Sequence, residues 1–270
     1  MQLPKKIFYV WGHNEILKES AKMCIATWKK YLPDYEIIQI NEQSIDYFNF
    51  QKELNTNKWF QTVYNRKMWA YVADYVRIKT LYDNGGIYLD TDVEVCKSFN
   101  DIINNSAFVG IQDSSIDGNN DFVEPAILGA CKHNLFLKKI LGFYNNLIWT
   151  EPIYTMPEIF KFFLKDYNVM PFPAKKNQKI IYLNDIVIYP EEYFIPYRSV
   201  QKFTERCLTP NTHTIHKWGG SWYKPETIFF LKNKHLYSLD ELNLKILKNE
   251  AEFLRQEKLF KAIKKMKNNK

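Results

Sequence analysis

Two aspartates stand two residues apart in NGGIYLDTDVEV, residues 84–95. A strand alternates its side chains between two faces, so Tyr88, Asp90, Asp92 and Glu94 share one face. Ile87, Leu89, Val93 and Val95 share the other, with Thr91 between them. Paired carboxylates repel each other unless something positive lies between them. An arbitrary D-x-D is a solvated strand edge, and Glu94 reads that way. Asp90 and Asp92 are hard oxygen ligands of the kind Mg²⁺ and Mn²⁺ prefer, and such ions keep open positions for phosphate oxygens.

Three other groups could join that chemistry. Asp74 and Arg77 are three apart in a helical stretch and share a face. They form either a surface ion pair of little worth or a pair in which Arg77 reaches a phosphate or sugar and Asp74 accepts sugar hydroxyls. THTIHKWGGSW (212–222) holds His213 and His216 in an expected strand beside Gly219-Gly220, where backbone can approach a ligand closely. A lone histidine is usually structural, and His216 is the one weighed as a metal ligand. Ser221 is weighed as a phosphate contact.

The elements that must position these groups read as α/β. Lys6–Trp11 is a first strand ending in a Gly12-His13-Asn14 turn, Glu15–Leu32 a helix, and Tyr35–Ile40 a second strand, the opening of a parallel sheet. Trp28 lies on the apolar face of that helix and reads as core. Residues 41–64 read as short helices and Arg66–Tyr82 as a strong helix stopped by Gly85-Gly86. The DTD strand follows at once, so the aspartates fall at the carboxyl edge of a sheet, where α/β folds place ligands. Phe108–Ile111 reads as a strand, 112–121 as a polar loop, 126–148 and 157–167 as helices, and 180–197 as short strands with proline turns. A helix begins at Ser238. The expected organisation is one α/β domain over 1–237 and a helical basic tail over 238–270.

Composition narrows the function. Aromatic residues make up 16% of the 270, which suits a groove lined by rings that would hold sugars or bases. Residues 255–270 hold seven of the 37 basic residues and one of the 30 acidic ones, so the tail accounts for six of the net +7. The body is near neutral, and a nucleic-acid-binding surface is not implied. The tail, with Leu259, Phe260, Ile263 and Met266 among lysines, reads either as a solvated terminus or as an amphipathic helix for an anionic membrane surface. Four cysteines without C-x-x-C spacing give neither a zinc pattern nor a disulfide framework. The apolar run before Gly12 is too short for a signal peptide, and no stretch reaches the roughly 18 apolar residues of a spanning helix. The expected location is cytoplasmic, either free or attached peripherally to the inner face of the membrane.

PKKIFYVW, SAKMCIATWKKYLPDYEII, AYVADYVRIKTLYDNGGIYLDTDVEV, IYPEEYFIPY and THTIHKWGGSW occur in that order. Together they resemble the DXD-containing glycosyltransferases of family 32, which include bacterial capsule and oligosaccharide transferases. The central block is also similar to the glucosyltransferase domain of large clostridial toxins. The resemblance spans residues 4 to about 222 and is strongest over 70–95. It implies a GT-A fold with a Rossmann-like sheet, a nucleoside-diphosphate-sugar donor (UDP-sugar before GDP-sugar), Mn²⁺ or Mg²⁺, and retention of anomeric configuration. It implies a glycan or lipid-linked oligosaccharide acceptor. By the same resemblance Trp11 stacks on the base, Asp74 and Arg77 contact the donor, Tyr88 precedes the DXD at Asp90 and Asp92, and His216, Ser221 and Trp222 contact metal and diphosphate. The chain departs from the commoner His-His-Trp in having His216-Lys217-Trp218.

Two other readings fit the same residues. An apolar strand followed by D-x-D-x-V also suits a haloacid-dehalogenase-like phosphohydrolase, with Asp90 as nucleophile and Asp92 as general acid. That chemistry needs a later acidic pair, and no convincing one follows. A degenerate, inactive sugar-nucleotide-binding scaffold is the other, and the intact DTD speaks against it.

Overall fold

The computed structural model describes residues 2–12, 14–112, 122–197, 201–219 and 224–268, with side chains to residue 263. A seven-stranded mixed sheet in the order β2-β1-β3-β6-β5-β8-β7 forms its centre. The strands are β1 (Lys6–Val10), β2 (Glu36–Ile40), β3 (Gly86–Leu89), β5 (Ala107–Gln112), β6 (Phe122–Ala130), β7 (Ile181–Tyr182) and β8 (Val187–Tyr189). β2, β1 and β3 run parallel, and β6 lies antiparallel between β3 and β5. A second, two-stranded sheet pairs β4 (Val93–Val95) with β9 (Thr214–His216). This is the Rossmann-like α/β architecture that the sequence implied.

The helices cover both faces of the sheet. Alternation along the strands sends Ile7, Tyr9, Ile87 and Leu89 into one apolar cluster and Phe8 and Tyr88 into another. The first cluster takes Trp28 and Leu32 from α1 (Glu19–Tyr31) and its C-terminal cap; the second takes the helices α2 (Phe50–Thr56), α3 (Lys58–Asn65), α4 (Trp69–Asn84), α5 (Leu135–Gly142) and α6 (Met156–Leu164). A short helix α7 (Glu191–Phe194) precedes β9, and α8 (Pro225–Asn233), α9 (Leu239–Lys248) and α10 (Glu250–Asn268) end the chain.

Several boundaries differ from the sequence expectation, each for a local reason. Residues 15–18 are outside α1 because the Glu15 carbonyl accepts the Trp11 indole N–H at 3.0 Å and Glu15 N bonds back to Gly12. The helix expected from Arg66 begins at Trp69, since Lys67 has φ 55° and Arg66 caps α3. Residues 126–130, read as helix, are the end of β6, captured by β3 and β5 on either side; Asn134 then caps α5 through Leu137 N. A short apolar run cannot distinguish the two states by periodicity alone.

The largest correction concerns 86–95. It is not one strand but two. β3 ends at Leu89, a turn closed by Val93 N to Asp90 O at 3.0 Å follows, and β4 leaves for the other sheet. Gly85-Gly86 does stop α4. Gly85 sits at φ 69°, and a Cβ there would lie 2.8 Å from Lys132 N. The four cysteines are free thiols, and among the described residues no helix is long and apolar enough to cross a membrane.

Candidate active site

The site forms where β3 gives out. Extending the β1–β3 register sets Val10 level with Asp90, so the end of β1, with Trp11 just beyond it, lies at the same carboxyl edge as the aspartates. Trp11 is half-buried and its indole N–H is spent on Glu15.

Asp90 is fixed first. Its backbone N–H donates to Ala126 O at 2.9 Å, and its Oδ1 accepts from Arg77 Nη2 at 2.8 Å. Arg77 is only 4% exposed, so the surface ion-pair alternative for Asp74 and Arg77 is excluded. The guanidinium bridges inward instead. Nη2 also lies 3.5 Å from Asp74, Nη1 donates to Pro125 O at 2.7 Å, and the group stands 4.4 Å over the Tyr88 ring. Tyr88 is therefore an inner platform for Arg77 on the face opposite Ile87 and Leu89. Arg77 Nε is buried without a partner.

Asp92 is fixed from the other sheet. β4 pairs with β9 so that Val93 faces His216, which carries the imidazole to the aspartate. His216 Nε2 lies 3.3 Å from Asp92 Oδ1, and Gly219 N–H donates to Asp92 Oδ2 at 2.7 Å. A Cβ on Gly219 would stand 2.9 Å from that same oxygen, so glycine is what lets the loop approach. Trp218 packs its ring 4.4 Å from that of His216, whose Nδ1 is buried and unpartnered. The commoner second histidine of this motif is replaced by Lys217, which turns away to Glu94 at 2.6 Å; Glu94 is thus ion-paired.

Asp90, Asp92 and His216 each offer a ligand atom, all within 4.8 Å of one another. Two carboxylates and an imidazole form a donor set that suits Mn²⁺ well and Mg²⁺ through its oxygens. The electrostatics match a cation-binding centre. Burial pushes the Asp90 carboxyl up, with Arg77 pulling against it. Burial also raises Asp92, but the His216 hydrogen bond and charge outweigh it and hold that carboxyl below its usual range. Burial pulls His216 down, while Asp92, Glu124 and Asp90 push it further up, to about 8. Burial lifts Asp74 to about 7 against the pull of Arg77.

Sequence reasoning missed Glu124 and the backbone of Pro125 and Ala126, which reach the site from β6. From sequence alone 112–121 reads as a loop and 126–148 as a helix, so no strand pattern flags the residues between them. His213 does not join the site. It is fully buried, with Nδ1 2.7 Å from Asn211 O and Nε2 2.8 Å from Asp101. Ser221 and Trp222 lie outside the described residues.

Residues 18–109 match the family model for a glycosyltransferase sugar-binding region containing the DXD motif. Within that span D-x-D occurs once, at Asp90-Thr91-Asp92. The chain is 24% identical over 176 residues to glucan organizing enzyme 1 of Cryptococcus neoformans, covering 56% of this chain and 47% of that one. It is 31% identical over 144 residues to inositol phosphoceramide mannosyltransferase 3 of Schizosaccharomyces pombe, covering 52% and 36%. The matches span less than half the length of these curated relatives. Among solved structures, the PaToxG glycosyltransferase is 19% identical with a TM-score of 0.48 over 63% of this chain and 71% of its own. The galactosyltransferase LgtC is 13% identical with a TM-score of 0.43, over 89% and 99%. Of the side chains in the matched span, Asp74, Arg77, Asp90 and Asp92 all meet at the end of β3. His216 comes from outside that span.

Proposed function

We propose that the chain transfers a sugar from a nucleoside diphosphate, UDP before GDP, to a hydroxyl of a glycan or lipid-linked oligosaccharide, with retention of anomeric configuration. The observation that carries the reading is the convergence of Asp90, Asp92 and His216 at the end of a strand inside a glycosyltransferase sugar-binding region. A divalent cation bound there supplies positive charge for the departing diphosphate.

The chain's own residues provide the rest by positioning. Arg77 commits Nη1 to Pro125 O and Nη2 to Asp90 and Asp74, so its part is to hold the carboxylates in place. Gly219 N–H and His216 orient Asp92, and Ala126 O orients the Asp90 backbone. Asp74, next to Arg77, would accept donor-sugar hydroxyls, and Trp11, just beyond β1 at the same carboxyl edge, would stack on the base. Holding donor and acceptor in one geometry lowers the entropic part of the barrier. Ser221 and Trp222 complete the reading as contacts to diphosphate. In the phosphohydrolase alternative Asp90 would be the attacking group, whereas here one of its oxygens is taken by Arg77.

The C-terminal helices give the same reading a place to work. Leu244 and Leu247 of α9, and Leu254, Leu259 and Ile263 of α10, are exposed among Arg255, Lys258 and Lys261. Exposed apolar side chains among basic ones fit an anionic lipid surface, where a lipid-linked acceptor would be presented.

The experiment is a panel of UDP- and GDP-hexoses incubated with the protein and Mn²⁺ or Mg²⁺. Metal-dependent release of nucleoside diphosphate from one donor, with an α-linked sugar retained in the product, is the expected result. Turnover of phosphomonoesters with no donor consumed would overturn the reading.

A further inference from the structure

The helical layer beside α4 holds a cavity of about 510 Å³, within the roughly 300–1,000 Å³ of small-molecule sites. α2, α3, α4 and the π-helical turn Phe143–Leu147 line it, and none of Asp90, Asp92 and His216 does. Its floor is a hydrogen-bond network that ties these elements together. Tyr75 Oη donates to Glu53 Oε2 at 2.6 Å, and Asn57 Nδ2 donates to Tyr75 Oη at 3.1 Å and to Asn145 Oδ1 at 2.9 Å. Asn57 Oδ1 accepts from Phe60 N as the cap of α3. Glu53, Asn57 and Tyr75 are buried, so the network is held in one arrangement. Glu53 Oε1 and Asn145 Nδ2 have no hydrogen-bond partner among the described residues. Half-buried Trp149 supplies an aromatic wall. Lys52, Lys58 and Lys79 surround the cavity, against the single carboxylate of Glu53. Lys79 is ion-paired with Asp83. Lys58 opens α3 and carries its ammonium 5.4 Å over the Trp149 ring, and Lys52 Nζ has no partner among the described residues. Asp46 and Asp83 belong to an adjoining hollow of about 140 Å³ that shares Lys52, Glu53 and Lys79.

We propose that this cavity is a second carbohydrate site, which takes a sugar unit bearing one anionic group, a carboxylate or a phosphate. The anion pairs with Lys52 and Lys58 at the amino end of α3, where the helix dipole adds positive charge. The ring of the sugar lies along Trp149, whose apolar face suits the C–H side of a hexose. Its hydroxyls donate to Glu53 Oε1 and accept from Asn145 Nδ2, the two polar atoms the network leaves open. Both parts of the ligand are needed. A neutral sugar leaves the ammonium groups of Lys52 and Lys58 without a counter-charge. A bare inorganic anion meets the like charge of Glu53 and makes no use of Trp149. Tyr75 faces this cavity while its neighbour Asp74 belongs to the site at the end of β3, so α4 forms a wall of each. Binding in the cavity requires neither metal nor nucleotide, which separates it from the sugar-transfer reading above.

The test is a set of saturation-transfer NMR titrations of the full chain in EDTA with glucuronic acid, glucose 6-phosphate, glucose, inorganic phosphate and AMP. At least one of the two acidic sugars is expected to bind about tenfold or more tightly than glucose and inorganic phosphate, and the tighter of the two identifies the anion. The double variant Lys52→Gln/Lys58→Gln changes two exposed side chains, and its thermal midpoint checks that it is folded. Its affinity for the acidic sugar is expected to fall about tenfold or more, the loss of a hydrogen bond to a charged group. Glu53→Gln keeps an oxygen for Tyr75 and removes the like charge, so inorganic phosphate is expected to bind it more tightly than it binds wild type. The proposal is overturned if wild type binds neither acidic sugar, if glucose or inorganic phosphate binds as tightly, if AMP binds more tightly than both, or if the folded double variant keeps wild-type affinity. Failure of the sugar-transfer reading shows separately, as wild type that consumes no nucleotide-sugar with Mn²⁺ or Mg²⁺ present.

Discussion

Asp92 is held from three directions by atoms distant in sequence: the His216 imidazole, the Gly219 amide and, through its own carbonyl, Lys217 N at 2.9 Å. Asp90 is held by side chains near it in sequence, the Arg77 guanidinium and the Tyr88 hydroxyl. The two should therefore respond differently to substitution. Asp92→Asn and Asp90→Asn are both expected to lower donor turnover at least a hundredfold, the scale for removing one preorganised electrostatic partner. Asp90→Asn also leaves Arg77 short of charge and should lower the thermal midpoint more than Asp92→Asn does. Full activity in both variants would show that the cation site lies elsewhere. Arg77→Leu leaves Asp74 and Asp90 facing each other without compensation. Removing one partner of a buried ion pair costs about 3 kcal/mol or more, readable as a lower denaturation midpoint in urea with unchanged slope.

At the scale of elements, α1 does more than cover the sheet. Trp28 is fully buried, as expected of core, and its indole N–H donates to Val93 O at 2.7 Å. Thr27 Oγ1 accepts from Val95 N at 2.9 Å. α1 thus closes the edge of β4 that β9 leaves open, and β4 begins one residue after Asp92. Trp28→Phe keeps the ring's bulk but strands a buried carbonyl. It is expected to cost about 2 kcal/mol in chemical denaturation and to weaken Mn²⁺ binding, measured by calorimetry. Mn²⁺ affinity unchanged beside lost stability would show that β4 does not transmit to Asp92. The α4–β3 junction has the opposite character. Gly85→Ala forces a side chain into φ 69° and against Lys132 N, so a loss of about 1–3 kcal/mol is expected in the thermal melt.

For the molecule as a whole, charge and apolar exposure are concentrated at one end. Truncation after residue 254 removes Leu259, Ile263 and the basic surplus and, among the described residues, nothing in contact with the site. Turnover of a soluble donor is expected to stay within about twofold of wild type, a neutral surface change. Co-sedimentation with anionic vesicles should fall severalfold, given about 1 kcal/mol per basic residue near such a surface. Equal sedimentation of both forms would remove the membrane role.

The sequence by itself determined the candidate carboxylates and much of the frame. D-x-D after a double glycine singled out Asp90 and Asp92, alternation sorted Ile87, Leu89, Val93 and Val95 into one apolar cluster away from Tyr88, and β1-α1-β2 declared a parallel sheet. Those signals are local, carried by residue types a few positions apart. Only the tertiary structure decided that 86–95 breaks into two strands of two sheets, because the break depends on β9 and α1 competing for β4. It alone turned Asp74 and Arg77 from a helix-surface pair into a buried bridge, set His216 against Asp92, excluded His213, and delivered Glu124 from β6. Each of these depends on pairing between segments tens to more than a hundred residues apart, which no local pattern encodes.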